Sequence, residues 1–123
     1  MRFFKRGEIA DSKFTFLDSE DNQPIDVNNP IFWIAHFEGP NEIIDVPETP
    51  LEKVVGRVGQ YIAYWEIPPT AIENETYYVT ATGIHPVDAT VTNLEDFYRV
   101  MSASFFAGGG GGGQGMTIKF TKP

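Results

Sequence analysis

Two neighbouring segments alternate apolar and polar residues with a period of two, and this pattern constrains the fold more than any other feature. In the first segment, Gly59–Pro69, one set of alternate positions carries Tyr61, Ala63, Trp65 and Ile67. In the second, Glu75–Gly83, the corresponding set is Tyr77, Val79 and Ala81. Because successive side chains of a strand point to opposite faces, each segment predicts a strand with one buried face. We expect them to be two strands of one antiparallel sheet.

Most other segments are short and rich in aromatic or β-branched residues, as in an all-β protein. Lys13–Leu17 predicts a first strand, and Asp18–Pro24 predicts the turn after it, because Asp and Asn side chains hydrogen-bond to turn backbone. The run Ile31–Phe37 is apolar on both faces, which predicts a central strand covered on each side, or one whose outer face meets another subunit. We also expect a short edge strand at 43–46 and a mixed strand at 51–58.

The segment Ala89–Met101 fits two interpretations. It reads as a long final strand that would pair with Tyr77–Thr82. A helix over 93–101 is the alternative, with Asn93 as its N-cap and acidic residues in its first turn. We favour the strand, because the predicted sheet needs a partner at this position.

Six consecutive glycines, Gly108–Gly113, stand near the end of the chain. Polyglycine has high backbone entropy and no side chain to bury, so we expect a flexible loop or tether. The run lacks the Lys and Ser or Thr that follow the glycines of a phosphate-binding loop, which argues against nucleotide binding. Beyond it, Met116, Ile118 and Phe120 alternate as in a strand that adds to a sheet edge of its own domain or of a neighbouring molecule.

Length and charge limit the classes of function. A chain of 123 residues is the size of one domain, and without cysteine it has no disulfide or thiolate chemistry. The net charge of −8 opposes binding to nucleic acid or anionic membranes and favours protein partners. The basic start, Met1–Glu8, is not followed by the apolar segment of a signal peptide. No apolar run approaches the roughly 20 residues of a membrane span.

Few residues are arranged as a chemical site. His36 and His85 lie far apart without zinc-like spacing. An acidic cluster at 18–26 lacks the spacing of a calcium loop and fits a solvated hairpin tip. No Ser, His and Asp form a recognisable catalytic motif. The sequence therefore predicts a protein that is not an enzyme and has no cofactor and no metal.

Several of these residues carry a resemblance to a known family. Phe14–Asp26 is similar to the opening of small immunoglobulin-like sandwiches, and Gly59–Pro68 with Thr76–Gly83 resembles their central strands. Such domains recur in tail, neck and capsid-associated proteins of tailed bacteriophages and in bacterial surface adhesins. The resemblance implies an all-β, immunoglobulin-like antiparallel β-sandwich over residues 12–101. An N-terminal arm would then occupy residues 1–11, and a glycine-linked C-terminal arm or strand residues 102–123.

The same resemblance implies a non-enzymatic structural subunit of a bacteriophage virion, placed at the neck, tail or capsid surface and assembled in the host cytoplasm. Its partners would be protein neighbours, in a homo-oligomer or ring, with no nucleic acid and no membrane. Apolar side chains near the two ends are the candidate assembly contacts: Phe3, Phe4, Phe105, Phe106, Met116, Ile118 and Phe120. Tyr64 and Tyr78, expected on outer faces, are further contact candidates.

Two other functions are compatible with the sequence. One is a bacterial cell-surface or carbohydrate-binding module, in which Trp33, Tyr64, Trp65 or Tyr78 would form a platform for sugar rings. The lack of a signal-peptide pattern argues against it. The other is an assembly chaperone that leaves before the particle matures.

Overall fold

The computed structural model describes residues 1–110, and its secondary structure over that range is almost entirely strand. The elements are β1 (Arg2–Phe4), β2 (Ile9–Thr15), β3 (Asn28–Glu38), β4 (Asn41–Pro50), β5 (Glu52–Lys53), β6 (Gln60–Glu66), β7 (Glu75–Ile84), β8 (Val91–Val100) and α1 (Ala103–Gly110). The predicted all-β class is confirmed.

The strands form two sheets. The larger has the order β1-β8-β7-β3-β4, and the smaller has the order β2-β6-β5. Paired strands are antiparallel, except that β1 runs parallel to β8. Apolar side chains from both sheets belong to one buried cluster, so the sheets pack on each other around a common core.

The buried faces predicted from the two alternating segments are confirmed. Tyr61, Ala63, Trp65 and Ile67 are buried on one strand, and Tyr77, Val79 and Ala81 on the other. The expectation that the two strands share a sheet is wrong, because β6 lies in the smaller sheet and β7 in the larger. Their inward rings meet across the core, with the centroids of Trp65 and Tyr77 5.1 Å apart. A period of two identifies a buried face but not the sheet that carries it.

The interpretation of residues 93–101 as strand is also confirmed. β8 pairs with β7 along its whole length, from Val91 opposite Ile84 to Val100 opposite Glu75. The turn predicted at 18–24 is present as well. It closes with a bridge between Leu17 and Pro24, and the Asp18 carboxylate accepts a hydrogen bond from the Glu20 amide.

Two predicted strands have different bounds. The edge strand expected at 43–46 is the ten-residue β4, because it pairs with β3 from Ile31 to Glu38 across two register irregularities. Within 51–58 only Glu52–Lys53 is strand. A turn follows β5, in which the Arg57 amide donates to the Val54 oxygen, Gly56 has φ +77° and Val55 is 94% exposed.

The ends of the described chain differ from the arms expected at 1–11 and 102–123. Arg2–Phe4 is a strand of the chain's own larger sheet, and Phe4 packs against the core. The helix α1 begins at Ala103 and ends at Gly110, so the first three glycines of the predicted loop are helical. The predictions for Gly111–Gly113 and for Met116, Ile118 and Phe120 lie outside the described residues.

Candidate interaction surface

The outward side of the larger sheet carries aromatic side chains on three adjacent strands. The Tyr78 ring on β7 has its centroid 5.6 Å from Phe37 on β3 and 5.6 Å from Phe97 on β8, edge-on in both contacts. Phe37 is 46% exposed and Phe97 40% exposed. Trp33 and Ile44 lie on the same side of the sheet by register. We call these five residues the outer aromatic face: Trp33, Phe37, Ile44, Tyr78 and Phe97.

Strand alternation produces this face. On β7, Tyr77 points into the core and Tyr78 points out, and on β8, Tyr98 points in and Phe97 out. Ala35 also points outward, opposite Tyr78 and Ile44, yet it is only 2% exposed and is not part of the core cluster. Larger side chains flank it in the register, so the smallest outward side chain lies at the centre of the face.

The outward side of the smaller sheet has a different character. Its alternate positions carry charged side chains, with Asp11 and Lys13 on β2 and Glu66 on β6 exposed. Tyr64, 48% exposed, lies opposite Asp11 in the register. Of the two outward faces, only that of the larger sheet joins exposed aromatic rings into a continuous row among the described residues.

The residues predicted for assembly lie at one end of this side of the sheet, where Phe3 on β1 is opposite Arg99 on β8. Phe3 contacts Phe105 with ring centroids 5.3 Å apart, and Phe105 contacts Phe106 at 5.1 Å. Phe4 contacts the buried Tyr98 at 5.2 Å. The structure thus gathers Phe3, Phe105 and Phe106 at the β1 edge and places Phe4 on the core of its own chain. Their role in assembly stays a prediction.

The four residues proposed for a sugar platform do not lie together. Trp65 is buried against Tyr77, so it offers no ring to a ligand. Tyr64 lies on the outward side of the smaller sheet, whereas Trp33 and Tyr78 lie on that of the larger. Of the four candidates, Trp33 and Tyr78 share a face, and the sugar platform itself stays a prediction.

A buried histidine ties β4 to β3 next to the core. The Nδ1 atom of His36 lies 2.7 Å from an Asp45 carboxylate oxygen, and Nε2 lies 3.0 Å from one of Glu38. Its ring is also 5.2 Å from that of Tyr77. Burial alone would lower the pKa of His36, but the two carboxylates outweigh burial and raise that pKa. The sequence predicted a strand histidine here but not its acidic partners.

We expect the stability of the protein to fall as pH rises through the raised pKa of His36. The charged imidazole is favoured in the folded state, so its stabilising effect is complete below the ordinary pKa of 6.5 and is lost as pH rises from there through the raised pKa. The slope cannot exceed about 1.4 kcal/mol per pH unit for one group. Urea unfolding from pH 6 to pH 9 measures it. His36→Gln should remove this slope, and an unchanged slope in that variant would contradict the assignment.

A second polar cluster joins the two sheets at the β1 edge. Ser12 on β2 donates a hydrogen bond of 2.6 Å to the Asp96 carboxylate and is also hydrogen-bonded to the Tyr98 hydroxyl. The Arg2 guanidinium lies 3.0 Å from the same carboxylate. Burial raises the pKa of Tyr98 to about 12, so its hydroxyl stays neutral. These groups satisfy one another, and we interpret the cluster as a structural tie that holds β1 in place.

Two kinds of chemical site are absent from residues 1–110. The part of the chain that the structure describes has no group of three His, Cys, Asp or Glu side chains that could hold a metal ion, and no pocket. Nor does it contain a helix of the length and apolar character needed to cross a membrane. Asp21 and Asp26 of the acidic cluster instead accept hydrogen bonds from the amides of Gln23 and Gly59. No protein-family model, curated protein or solved structure matches the chain.

Proposed function

We propose that this protein is a non-enzymatic structural subunit that joins protein neighbours through its outer aromatic face. The observation that carries the proposal is the edge-on row of Phe37, Tyr78 and Phe97 on an exposed sheet face. An antiparallel sheet facing water normally carries polar side chains there. Contiguous exposed aromatic surface is typical of protein contacts, where such residues act as anchors.

We propose further that the fold is immunoglobulin-like. The strand order supports this, because β8-β7-β3-β4 and β2-β6-β5 correspond to the GFCC′ and BED sheets of such domains. A tyrosine near the start of β7 gives separate support. The hydroxyl of Tyr77 accepts a hydrogen bond of 2.8 Å from the Ile72 amide, five residues upstream, as in a tyrosine corner.

The particle that we propose is the virion of a tailed bacteriophage, with the subunit at the neck, tail or capsid surface. This part of the proposal rests on the sequence resemblance alone. An acidic chain of charge −8 with an exposed aromatic face suits a protein neighbour better than nucleic acid. The carbohydrate-binding alternative has less support, because the rings of the row stand edge-on at 78° and 85° and form no flat platform.

The proposal predicts that the chain is present in purified virions of the phage that encodes it, and that Phe37→Ser/Phe97→Ser reduces its incorporation at least tenfold. Each serine removes an aromatic anchor, for which a loss of about 2 kcal/mol is typical of interface centres. Quantitative mass spectrometry of purified particles measures incorporation, and circular dichroism checks folding.

Tyr64→Ser is the matched control, because it removes a similarly exposed ring from the other sheet and should leave incorporation unchanged. Absence of the wild-type chain from mature particles would overturn the virion assignment. Normal incorporation of the folded double variant would overturn the assignment of the face. Binding of the isolated protein to a glycan array would instead favour the carbohydrate-binding module.

A further inference from the structure

We propose that the occupant of the outer aromatic face is a second copy of this chain, packed face to face across a two-fold axis. This inference rests on the proposed function, since it names the neighbour that binds the same surface. Its starting point is a line of residues that crosses four strands. By register, Phe97 is opposite Tyr78, Tyr78 is opposite Ala35, and Ala35 is opposite Ile44.

The residues on either side of this line complement each other. On β8, the outward positions flanking Phe97 are Glu95 and Arg99, one acidic and one basic, and both are exposed. On β3, the outward positions flanking Ala35 are both aromatic, Trp33 and Phe37. Neither Glu95 nor Arg99 has an ion-pair partner among residues 1–110.

We place a two-fold axis along this line, midway between the two facing sheets. Rotation about this axis reverses the direction of every strand in the second copy. Each strand then lies over its own equivalent, and Glu95 lies over Arg99 of the second copy. Trp33 lies over Phe37 of the second copy, and Ala35 lies over Ala35 of the second copy. Such an isologous contact needs one self-complementary surface, and the charges of β8 and the rings of β3 provide it.

The charge pattern also selects between the two possible axes. An axis parallel to the strands, through the middle of the four-strand face, would place β8 over β4 of the second copy, so Glu95 and Arg99 would not meet. The axis across the strands pairs opposite charges twice, so we commit to the antiparallel packing.

The size of the face sets the expected strength. Four strands spaced by about 4.8 Å and ten residues long at about 3.3 Å each give a planar area of roughly 600 Å². Stable interfaces bury about 800 Å² on each partner. We therefore expect reversible dimers with a dissociation constant in the micromolar range, and no permanent dimer.

Sedimentation equilibrium of the full chain, over a concentration series from about 1 to 500 μM, tests the inference. The wild type should show a monomer–dimer equilibrium. Glu95→Arg and Arg99→Glu should each weaken dimerisation at least about tenfold, because each creates two like-charge pairs per dimer. An equimolar mixture of the two variants should recover association to within about threefold of the wild type, because the mixed dimer has opposite charges in both pairs.

Glu66→Arg is the matched control, since it reverses an exposed charge on the other sheet and should leave the equilibrium unchanged. A wild type that stays monomeric throughout, or a mixture that associates no better than either variant alone, would overturn the inference.

The results of this experiment can be told apart from those of the virion experiment. If incorporation into particles needs Phe37 and Phe97 but the chain forms no dimer, a different protein occupies the outer aromatic face. If the chain forms the dimer but is absent from purified particles, this inference is supported and the virion proposal is contradicted.

Discussion

Replacing Tyr77 by alanine should lower the free energy of unfolding by about 3–5 kcal/mol, the cost typical of truncating a buried aromatic ring. Tyr77 is 1% exposed, and its ring packs 5.1 Å from that of Trp65 and 5.2 Å from that of His36. The substitution also removes the hydroxyl that accepts the Ile72 amide hydrogen bond. Since domains of this size are stable by only about 5–15 kcal/mol, much of the margin would be lost.

Tyr78→Ala is the matched control, because the next residue on the same strand faces outward and not into the core. It loses edge-on contacts with Phe37 and Phe97, and we expect a cost of about 1 kcal/mol or less. Guanidinium unfolding followed by tryptophan fluorescence, at a concentration where the chain is monomeric, measures both. Equal costs for the two variants would contradict the assignment of the inner and outer faces.

The second large effect is expected at Gly59, where alanine should cost about 3 kcal/mol or more through backbone strain and overpacking together. Gly59 has φ +74°, and an added Cβ would lie 2.8 Å from the Ile25 nitrogen and 2.9 Å from the Phe16 oxygen. These backbone atoms cannot move freely. The Phe16 amide donates to the Gly59 oxygen, and the Ile25 amide donates to the Phe16 oxygen, both at 2.9 Å.

Gly56→Ala separates the two causes. Gly56 has a similar φ of +77°, but a Cβ there meets no atom within 4 Å. Its substitution should cost only the strain of the left-handed conformation, about 1 kcal/mol. Thermal unfolding of both variants, compared with the wild type, gives the difference. If the two alanines cost the same, steric contact with the backbone at Phe16 and Ile25 contributes nothing.

Local alternation was enough to predict which side chains of β6 and β7 are buried, because a period of two acts over neighbouring residues. It was not enough to assign the strands to sheets, since the connection after Ile67 passes from the smaller sheet to the larger and does not form a hairpin. The turn at 18–24 was predictable from its Asp and Asn side chains. The early end of β5, at Lys53, was not predictable. The turn that follows it, with a positive φ at Gly56, cannot be recognised from the alternation of apolar and polar residues.

The candidate surface was predicted in part. Tyr78 was expected to face outward, but its neighbours Phe37 and Phe97 are 41 and 19 positions away in the sequence, and only the sheet register brings the three together. The partners of Ser12 could not be foreseen for the same reason, since Asp96 is 84 positions away. His36 and Asp45 meet because β3 and β4 form a hairpin with a register irregularity.

The parallel pairing of β1 with β8 has a consequence for synthesis of the chain. Arg2 and Asp96, which form an ion pair, are 94 positions apart. On the ribosome the first strand therefore has no place in the sheet until nearly all of residues 1–100 have emerged. Contacts between distant residues slow folding because a long loop must close first. A nascent chain that stops before β8 exposes the unpaired edge of β7, so the period between the synthesis of β7 and that of β8 is when these residues most need protection from aggregation.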